Sequence, residues 1–293
     1  MRGTARGSQI YSRVLHRILE DGLVSDRDSV LVICGGRRDR DELCQAGFTN
    51  VTISNIDDAV DDGLHPFTWD RQDAEHLTYA NDSFDIAIVY AGLHHCYSPH
   101  RALLEMFRVA RRAVIVFEAR DSFALNVAKR LRLTDDYEIE AVSYDFETGG
   151  VGNSPIPNYI YRWTEREVVK TIASFDPMHE PRVRFFYGLR LPYQRFANTQ
   201  RPILRTMLSI MGPLVEWVAK AFPTQCNEFA FVISKEARLQ PWLSVHDGAV
   251  RLNEDAIRQM GRVYRPAKNE TFPSDPCPVS VPSPSTESHV DGP

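Results

Sequence analysis

Short apolar runs alternate with amphipathic segments through the first 120 residues of the chain. The runs are rich in β-branched residues and end in polar or glycine turns, which is the pattern of buried strands. Segments between them, such as Ile10–Leu23 and Pro99–Val109, place apolar residues at helical spacing. Strands that alternate with helices predict a Rossmann-like α/β fold with a doubly wound, mostly parallel sheet. The predicted strands are Ser29–Cys34, Val51–Asn55, a short element within Leu64–Trp69, Phe84–Ala91 and Ala113–Phe117.

The pattern changes after Arg120. Phe123–Leu133 is predicted to be helical, whereas Tyr144–Tyr161 is rich in Gly, Asn, Pro and Tyr. Loops of this length are uncommon unless they serve as lids or binding segments. A helix restarts with Thr164 as its N-cap, and Phe229–Ile233 is predicted to be a late strand. We therefore expect an inserted lid or substrate-binding region between the sheet core and this late strand.

Four regions follow from these patterns: a sheet core over residues 1–121, a substrate-binding or lid insertion over 122–226, a final strand and C-terminal helix over 227–265, and a tail over 266–293. The tail has few large apolar groups, so it cannot offset its ordering entropy and is predicted to be disordered. Ile203–Phe222 is strongly apolar, but Arg205, Glu216 and Lys220 interrupt it. We predict amphipathic helices there, packed against the domain, rather than a membrane span.

Composition and charge bear on whether the protein binds nucleic acid and on the compartment in which it occurs. A net charge of −5 over 293 residues disfavours a surface built to neutralise nucleic-acid phosphates, although the arginines within Arg182–Arg205 leave a local basic patch open. Five cysteines without paired or metal-binding spacing predict reduced thiols and hence an intracellular, cytoplasmic protein. No apolar signal-peptide core follows the basic N-terminus.

The most informative segment is Asp73–His95, in which an Asp-Ala-Glu step precedes a Ser-Phe-Asp strand start and a Leu-His-His step. Together with Val30–Gly36, it resembles the class I S-adenosylmethionine-dependent methyltransferases, over roughly Val30–Glu118. The resemblance implies S-adenosylmethionine as the cofactor and an antiparallel final strand. The glycine-rich loop departs from the family, because Ile33–Asp39 lacks the early acidic residue and the third glycine.

The resemblance also implies which residues meet the cofactor. Glycine lets the backbone approach a ligand closely, so the turn after the first strand would face the amino acid end of the cofactor. A carboxylate after the second strand accepts hydrogen bonds from ribose hydroxyls, and the register leaves two residues open for this role. The Asp-Ala-Glu step would address adenine, although its aspartate would equally suit the N-cap of a helix. The candidates are Gly35 and Gly36, Asn55 and Asp57, Asp73 and Ala74, and Tyr90 at the strand edge near the methyl donor.

Three residues are candidates for catalysis. His95 or His94 could accept a proton, because imidazole titrates near neutrality, but a histidine here could equally be a hydrogen-bonded residue at a helix start. Glu118 is an alternative base or acceptor-binding group, with a surface ion pair to Arg120 as the structural alternative. We predict no metal site, because His94, His95 and His100 do not converge on an ion without distant ligands.

These observations predict an S-adenosylmethionine-dependent methyltransferase that acts on a small or medium acceptor. A hydroxyl of a saccharide or secondary metabolite is the leading acceptor, because aromatic residues could stack on it. The alternatives are a methyltransferase-like binding protein without catalysis and a nucleic-acid methyltransferase. The oligomeric state is left open. The aromatic residues in question are Tyr144, Tyr159, Tyr161 and Trp163.

Overall fold

A computed structural model of the chain describes residues 9–57, 62–190, 212 and 215–261. The chain divides into two compact units, residues 1–240 and residues 241–293. The predicted tail over 266–293 and most of Ile203–Phe222 lie outside the described residues. Among the described helices, none combines the length and the apolar character that crossing a bilayer requires.

The larger unit is built on a seven-stranded sheet with the strand order β3-β2-β1-β4-β5-β7-β6. All neighbouring strands run parallel except β7, which is antiparallel to both β5 and β6. The Rossmann-like fold and its antiparallel late strand are therefore confirmed. The strands are β1 (Val30–Val32), β2 (Val51–Asn55), β3 (Thr68–Arg71), β4 (Phe84–Tyr90), β5 (Ala110–Ala119), β6 (Arg182–Gly188) and β7 (Glu228–Ser234).

Six helices with both ends described accompany the sheet in this unit, in addition to helical residues at 215–221, and polar side chains cap several of them. The Ser98 hydroxyl accepts a hydrogen bond from the Arg101 amide, with Pro99 as the first helical residue of α3. Thr164 caps α6 as predicted by accepting from the Glu167 amide at 3.3 Å. The helices are α1 (Gln9–Glu20), α2 (Arg37–Gln45), α3 (Pro99–Val109), α4 (Phe123–Arg130), α5 (Ile139–Val142) and α6 (Glu165–Phe175).

The apolar core lies on both faces of the sheet. On one face, α1 buries a stripe at helical spacing that includes Tyr11, Leu15 and Ile18. On the other face, α3 and α6 cover β1, β4 and β5, with Trp163 fully buried among them. Because both faces are covered, the strands have continuous apolar sequences, and this explains why the sequence pattern located them.

Strand β6 was not predicted from the sequence. Its arginines had suggested a basic patch, but the strand pairs with β7 over its full length. Phe185 stacks on Phe229 at a centroid distance of 5.6 Å, and the Arg184 guanidinium pairs with Asp21 at 2.6 Å. The aromatic residues of this segment therefore pack within the fold, and one of its arginines is neutralised.

The smaller unit contains a hairpin and a short helix in its described part. Strands β8 (Leu243–His246) and β9 (Ala249–Leu252) pair antiparallel across Asp247 and Gly248, which both have positive φ angles, as a tight hairpin turn requires. Asn253 then caps α7 (Glu254–Gln259) by accepting from the Ala256 amide at 3.0 Å. A C-terminal helix is thus present, while the predicted boundaries of the four regions stay predictions.

Candidate functional site

The first feature of the site is the glycine turn, residues Cys34–Gly36, between β1 and α2. The chain leaves the strand at Cys34, which has a φ of 50°, and the Gly35 amide donates to the Ser54 carbonyl at 2.8 Å. A Cβ atom on Gly35 would lie 2.8 Å from Cγ2 of Ile53. Only glycine therefore fits where the turn crosses β2.

Gly36 has the opposite surroundings. Its backbone is extended, and a Cβ atom placed on it would meet no atom of the described residues within 4 Å beyond its own chain neighbours. Gly36 is the N-cap of α2, so this open space lies at the N-terminus of the helix. A helix N-terminus with free space in front of it favours a carboxylate or another negatively charged ligand group.

Asp39 in α2 holds the glycine turn in place through a hydrogen bond to its backbone. Its side chain is buried, accepting from the Gly36 amide at 3.0 Å and from the Tyr11 hydroxyl at 3.0 Å. Burial raises the pKa of this carboxyl from 3.8 to about 6, although both hydrogen bonds oppose the rise. The folded chain therefore holds the Asp39 proton more tightly than the unfolded chain does.

The wild type is expected to lose stability as pH rises and Asp39 ionises, and Asp39→Asn is expected to lack this loss. The raised pKa stabilises the fold fully below about pH 4, and this contribution is lost as pH rises to about 6, which amounts to about 3 kcal/mol. In urea unfolding from pH 4.5 to 7.5, the free energy of unfolding of the variant should rise relative to that of the wild type as pH rises. Asp41→Asn, on the exposed face of the same helix, is the control. A constant difference between Asp39→Asn and wild type would contradict the assignment.

The predicted ribose residues lie at the end of β2. The Asn55 amide group donates to the Gly35 carbonyl at 3.4 Å, and its oxygen accepts from the Ile56 amide at 2.8 Å. Asn55 thus ties β2 to the glycine turn. The Asp57 carboxylate lies two residues further on and accepts a hydrogen bond from the Asn153 amide group.

The Asp-Ala-Glu step forms a turn directly after β3. Asp73 accepts from the Glu75 amide at 2.9 Å and contacts the His76 ring at 3.2 Å, with 47% of its side chain exposed. Ala74 is buried in the core beside β1 and β4. Glu75 is also buried, and its carboxylate accepts from the amides of Tyr97 and Ser98 at 2.8 and 3.0 Å. Glu75 therefore holds in place the segment that follows the two histidines.

Tyr90 ends β4 at the same edge of the sheet. Its ring stacks on Tyr11 at a centroid distance of 5.3 Å, and the Arg38 guanidinium lies 4.8 Å from the ring centroid. Burial raises the pKa of the Tyr90 phenol. Two residues on, a Cβ atom on Gly92 would lie 2.5 Å from Cβ of Cys34, so β4 leaves the sheet in contact with the glycine turn.

Four side chains next to Gly92 form the histidine–glutamate cluster: His94, His95, Glu118 and Glu138. The Nδ1 atom of His94 lies 2.7 Å from Oε2 of Glu118. Its Nε2 atom lies 3.2 Å from Oε2 of Glu138, and the same oxygen lies 3.4 Å from Nε2 of His95. The Glu118 side chain is fully buried and also accepts from the Leu93 amide at 2.8 Å.

The two histidines differ in their electrostatics. Burial by itself lowers the pKa of His94, but the charge and hydrogen bond of Glu118, followed by those of Glu138, raise it to about 10. The hydrogen bond from His94 in turn lowers the pKa of Glu138 to about 2. Burial and the neighbouring charge of His94 lower the pKa of His95. In the absence of other ligands, His94 is therefore cationic near neutrality and His95 is neutral.

A glycine-rich part of the predicted lid, the covering segment Gly149–Ser154, contacts this region. The Gly150 backbone acts to raise the pKa of the His95 ring, which opposes the effect of burial. A Cβ atom on Gly152, whose φ is 58°, would lie 2.6 Å from the Tyr97 ring. Asn153 reaches Asp57 on the other side of the site. One segment of the insertion thus touches both the predicted ribose side and the histidines.

Sequence reasoning missed two members of this site. Glu138 follows β5 by 19 residues and lies in no periodic pattern, and only the fold brings it to the histidines. Asn158 is buried and donates to Glu138 at 3.3 Å. The proposed surface pair between Glu118 and Arg120 is absent from the ion pairs of the described residues, because Arg120 is buried and pairs with Glu165 at 2.8 Å.

Part of the chain matches a known family model. Residues 34–117 match the model of a family described as a methyltransferase domain. The matched range runs from the glycine turn into β5 and contains every predicted site residue except Glu118. No curated protein matches the chain.

Several solved structures are similar to the chain at low sequence identity. The YcgJ protein from Bacillus subtilis has a TM-score of 0.47 and 12% identity, over 79% of this chain and 100% of that protein. Magnesium protoporphyrin IX methyltransferase from Synechocystis PCC 6803, with bound S-adenosylhomocysteine, has a TM-score of 0.45 and 15% identity, over 78% and 83% of the two chains. The 1,6-didemethyltoxoflavin-N1-methyltransferase from Burkholderia thailandensis has a TM-score of 0.44 and 13% identity, over 79% of each.

Proposed function

We propose that the chain, whose residues 34–117 match a methyltransferase-domain family, transfers a methyl group from S-adenosylmethionine to a hydroxyl of a small or medium acceptor. The single observation that carries this proposal is the meeting of the glycine turn, the end of β2 and the histidine–glutamate cluster at one edge of the sheet. In open α/β sheets, ligands bind beyond the carboxyl ends of the strands.

The donor side of this edge fits S-adenosylmethionine. The open space at Gly36 and the amides of the first turn of α2 suit the carboxylate of the donor. Asn55 and Asp57 suit the ribose hydroxyls, with Asp57 exchanging its bond to Asn153 for the ligand. Asp73 and Ala74 would hold the adenine, and Tyr90 would line the space beside the methyl group. When bound, the cofactor supplies an electrophilic methyl group on sulfur.

The acceptor side is assigned to the histidine–glutamate cluster. His94, His95 and Glu118 follow β4 and β5 at the carboxyl edge, where an acceptor would face the methyl donor. His95, the neutral histidine, would orient the acceptor hydroxyl and assist the loss of its proton, either directly or through a bound ion. The cationic His94 and the fully buried Glu118 would hold the cluster in place. Holding the reacting groups in line supplies much of the acceleration in such a transfer.

The insertion between α4 and α6 would provide acceptor specificity. Tyr144, Tyr159 and Tyr161 present rings at or near the surface of this region and suit a saccharide ring or another flat metabolite face. Trp163 cannot take this role, because its side chain is fully buried in the core. The acceptor pocket is therefore proposed to be built from the tyrosines of the insertion and from the covering segment.

Titration calorimetry with S-adenosylhomocysteine tests the donor assignment. We expect one ligand to bind per chain, and Asp73→Ala to weaken binding about tenfold, or about 1.4 kcal/mol, because a hydrogen bond to adenine is lost. Asp26→Ala removes an exposed carboxylate just before β1, at the opposite edge of the sheet, and should leave binding unchanged. Absence of binding at high micromolar ligand would favour the methyltransferase-like binding protein without catalysis.

A further inference from the structure

The histidine–glutamate cluster has the composition and spacing of a metal site. Its ligand atoms come from a turn after β4 and from a distant glutamate at the start of α5, so they converge through the fold rather than through sequence proximity. From this arrangement we infer that His94, His95 and Glu138 bind one divalent transition-metal ion. The inference that this ion acts on the acceptor rests on the proposed function, whereas the ion site itself does not.

The spacing of the ligand atoms supports the site. Ligands about 2.1 Å from a tetrahedral zinc ion lie about 3.4 Å from one another. Oε2 of Glu138 lies 3.2 Å from Nε2 of His94 and 3.4 Å from Nε2 of His95. A ligand atom from each of the three residues lies within 4.8 Å of the other two. Three protein ligands leave at least one position open for water or substrate, as catalytic sites require.

The surroundings of these ligands match those of metal sites. A histidine that binds metal through one ring nitrogen usually donates the other N–H to a carboxylate, which fixes the ring and raises its basicity. Glu118 accepts from Nδ1 of His94 at 2.7 Å and leaves Nε2 facing Glu138. Glu118 is itself held by the Leu93 amide at 2.8 Å. Glu118 is thus a positioning residue that acts through His94.

The third ligand is held in the same way. Asn158 is 1% exposed, and its amide group donates to Oε2 of Glu138 at 3.3 Å. Its Oδ1 atom is buried without a hydrogen-bond partner among the described residues. A buried acceptor of this kind is costly unless it is satisfied, and a water molecule on the ion would donate to it. Asn158 therefore supports both Glu138 and the open coordination position.

The charge and ligand types indicate which ion fits. Glu118 and Glu138 bring two carboxylates to the histidines, a charge that a divalent cation balances. Two imidazole nitrogens and one carboxylate suit Zn²⁺, Co²⁺ or Fe²⁺, whereas Mg²⁺ and Ca²⁺ prefer oxygen ligands alone. In the proposed function, the ion would bind the acceptor hydroxyl and lower its pKa, so that the proton leaves to water. The oxygen would then form a bond to the methyl carbon as the bond from that carbon to sulfur breaks, and S-adenosylhomocysteine would leave with the sulfur electron pair.

Direct metal binding tests the inference without a known acceptor. The full chain, without a polyhistidine tag and stripped with a chelator, is titrated with Co²⁺ while its visible absorption is followed. We expect one ion per chain with bands that report nitrogen ligands, displaced by Zn²⁺ and not by Mg²⁺. Glu138→Gln should weaken Co²⁺ binding at least about 100-fold, and Glu118→Gln about 10- to 100-fold. Glu140→Gln, exposed on the same helix as Glu138, should bind as the wild type does.

The same samples separate this inference from the proposed function. Circular dichroism establishes that each variant is folded, and titration with S-adenosylhomocysteine measures the donor site independently. If S-adenosylhomocysteine binds and Co²⁺ does not, or if Glu138→Gln binds Co²⁺ as tightly as Glu140→Gln, the metal site is wrong and the methyltransferase assignment stands. If Co²⁺ binds with the expected variant pattern and S-adenosylhomocysteine does not bind, the metal site stands and the donor assignment fails.

Discussion

Gly36→Val is expected to abolish donor binding while leaving the fold intact. A Cβ atom at position 36 would meet no atom of the described residues within 4 Å beyond its chain neighbours, so the valine Cβ fits the folded chain. If the carboxylate end of S-adenosylmethionine occupies that space, the valine methyl groups displace it. We expect the affinity for S-adenosylhomocysteine to fall at least about 100-fold, or about 2.8 kcal/mol, in titration calorimetry.

Gly36→Ser is the graded control for this prediction. Serine is a favourable N-cap residue and adds fewer atoms than valine, so it should preserve α2 and weaken binding less. Urea unfolding should place Gly36→Val within about 1 kcal/mol of the wild type, because its extended backbone suits any residue. A folded Gly36→Val variant with wild-type affinity would show that the donor binds elsewhere.

The sheet core could be predicted because it is buried on both faces. Strands such as β4 and β5 are continuous apolar runs, and a run of this kind stands out from its polar flanks. The glycine turn was located for the same reason, since Gly35–Gly36 follows such a run directly. Local sequence patterns are sufficient to predict a segment when the burial of its residues follows from the strand in which they lie.

The histidine–glutamate cluster could be predicted only in part. His94 and His95 stand beside a recognisable strand, and Glu118 ends the next one. Glu138 belongs to an insertion whose path depends on long-range contacts, such as the Glu138 amide donating to the Asn158 carbonyl at 3.0 Å. No periodicity marks such a contact. The prediction against a metal had required a distant ligand, and Glu138 is a residue in that position.

The strand β6 was missed for a related reason. Arg182, Arg184, Phe185 and Phe186 lack the apolar continuity of the inner strands, because β6 lies at the edge of the sheet and is half-buried. Its partner β7 was recognised by its apolar run. An edge strand of mixed polarity carries a weak pattern, so its place becomes visible only when its neighbour in the sheet is known.

Trp163→Ala is expected to give the largest loss of stability among these variants. Trp163 is fully buried against Phe231, and its backbone joins the insertion to β5: its amide donates to the Ala119 carbonyl at 2.9 Å, and its carbonyl accepts from the Asp121 amide at 3.0 Å. Truncation leaves a cavity where the insertion returns to the sheet. We expect a loss of about 3–5 kcal/mol in urea unfolding.

Trp163→Phe separates packing from hydrogen bonding at this position. The indole N–H of Trp163 is buried without a partner among the described residues, so phenylalanine removes an unsatisfied donor while retaining most of the apolar contact. We therefore expect a loss of less than about 2 kcal/mol, well below that of alanine.

Because the insertion carries Glu138 and the covering segment, Trp163→Ala should also speed proteolysis between residues 122 and 162, whereas Trp163→Phe should not. Equal losses for both variants would mean that the N–H of Trp163 is satisfied and contributes to the fold.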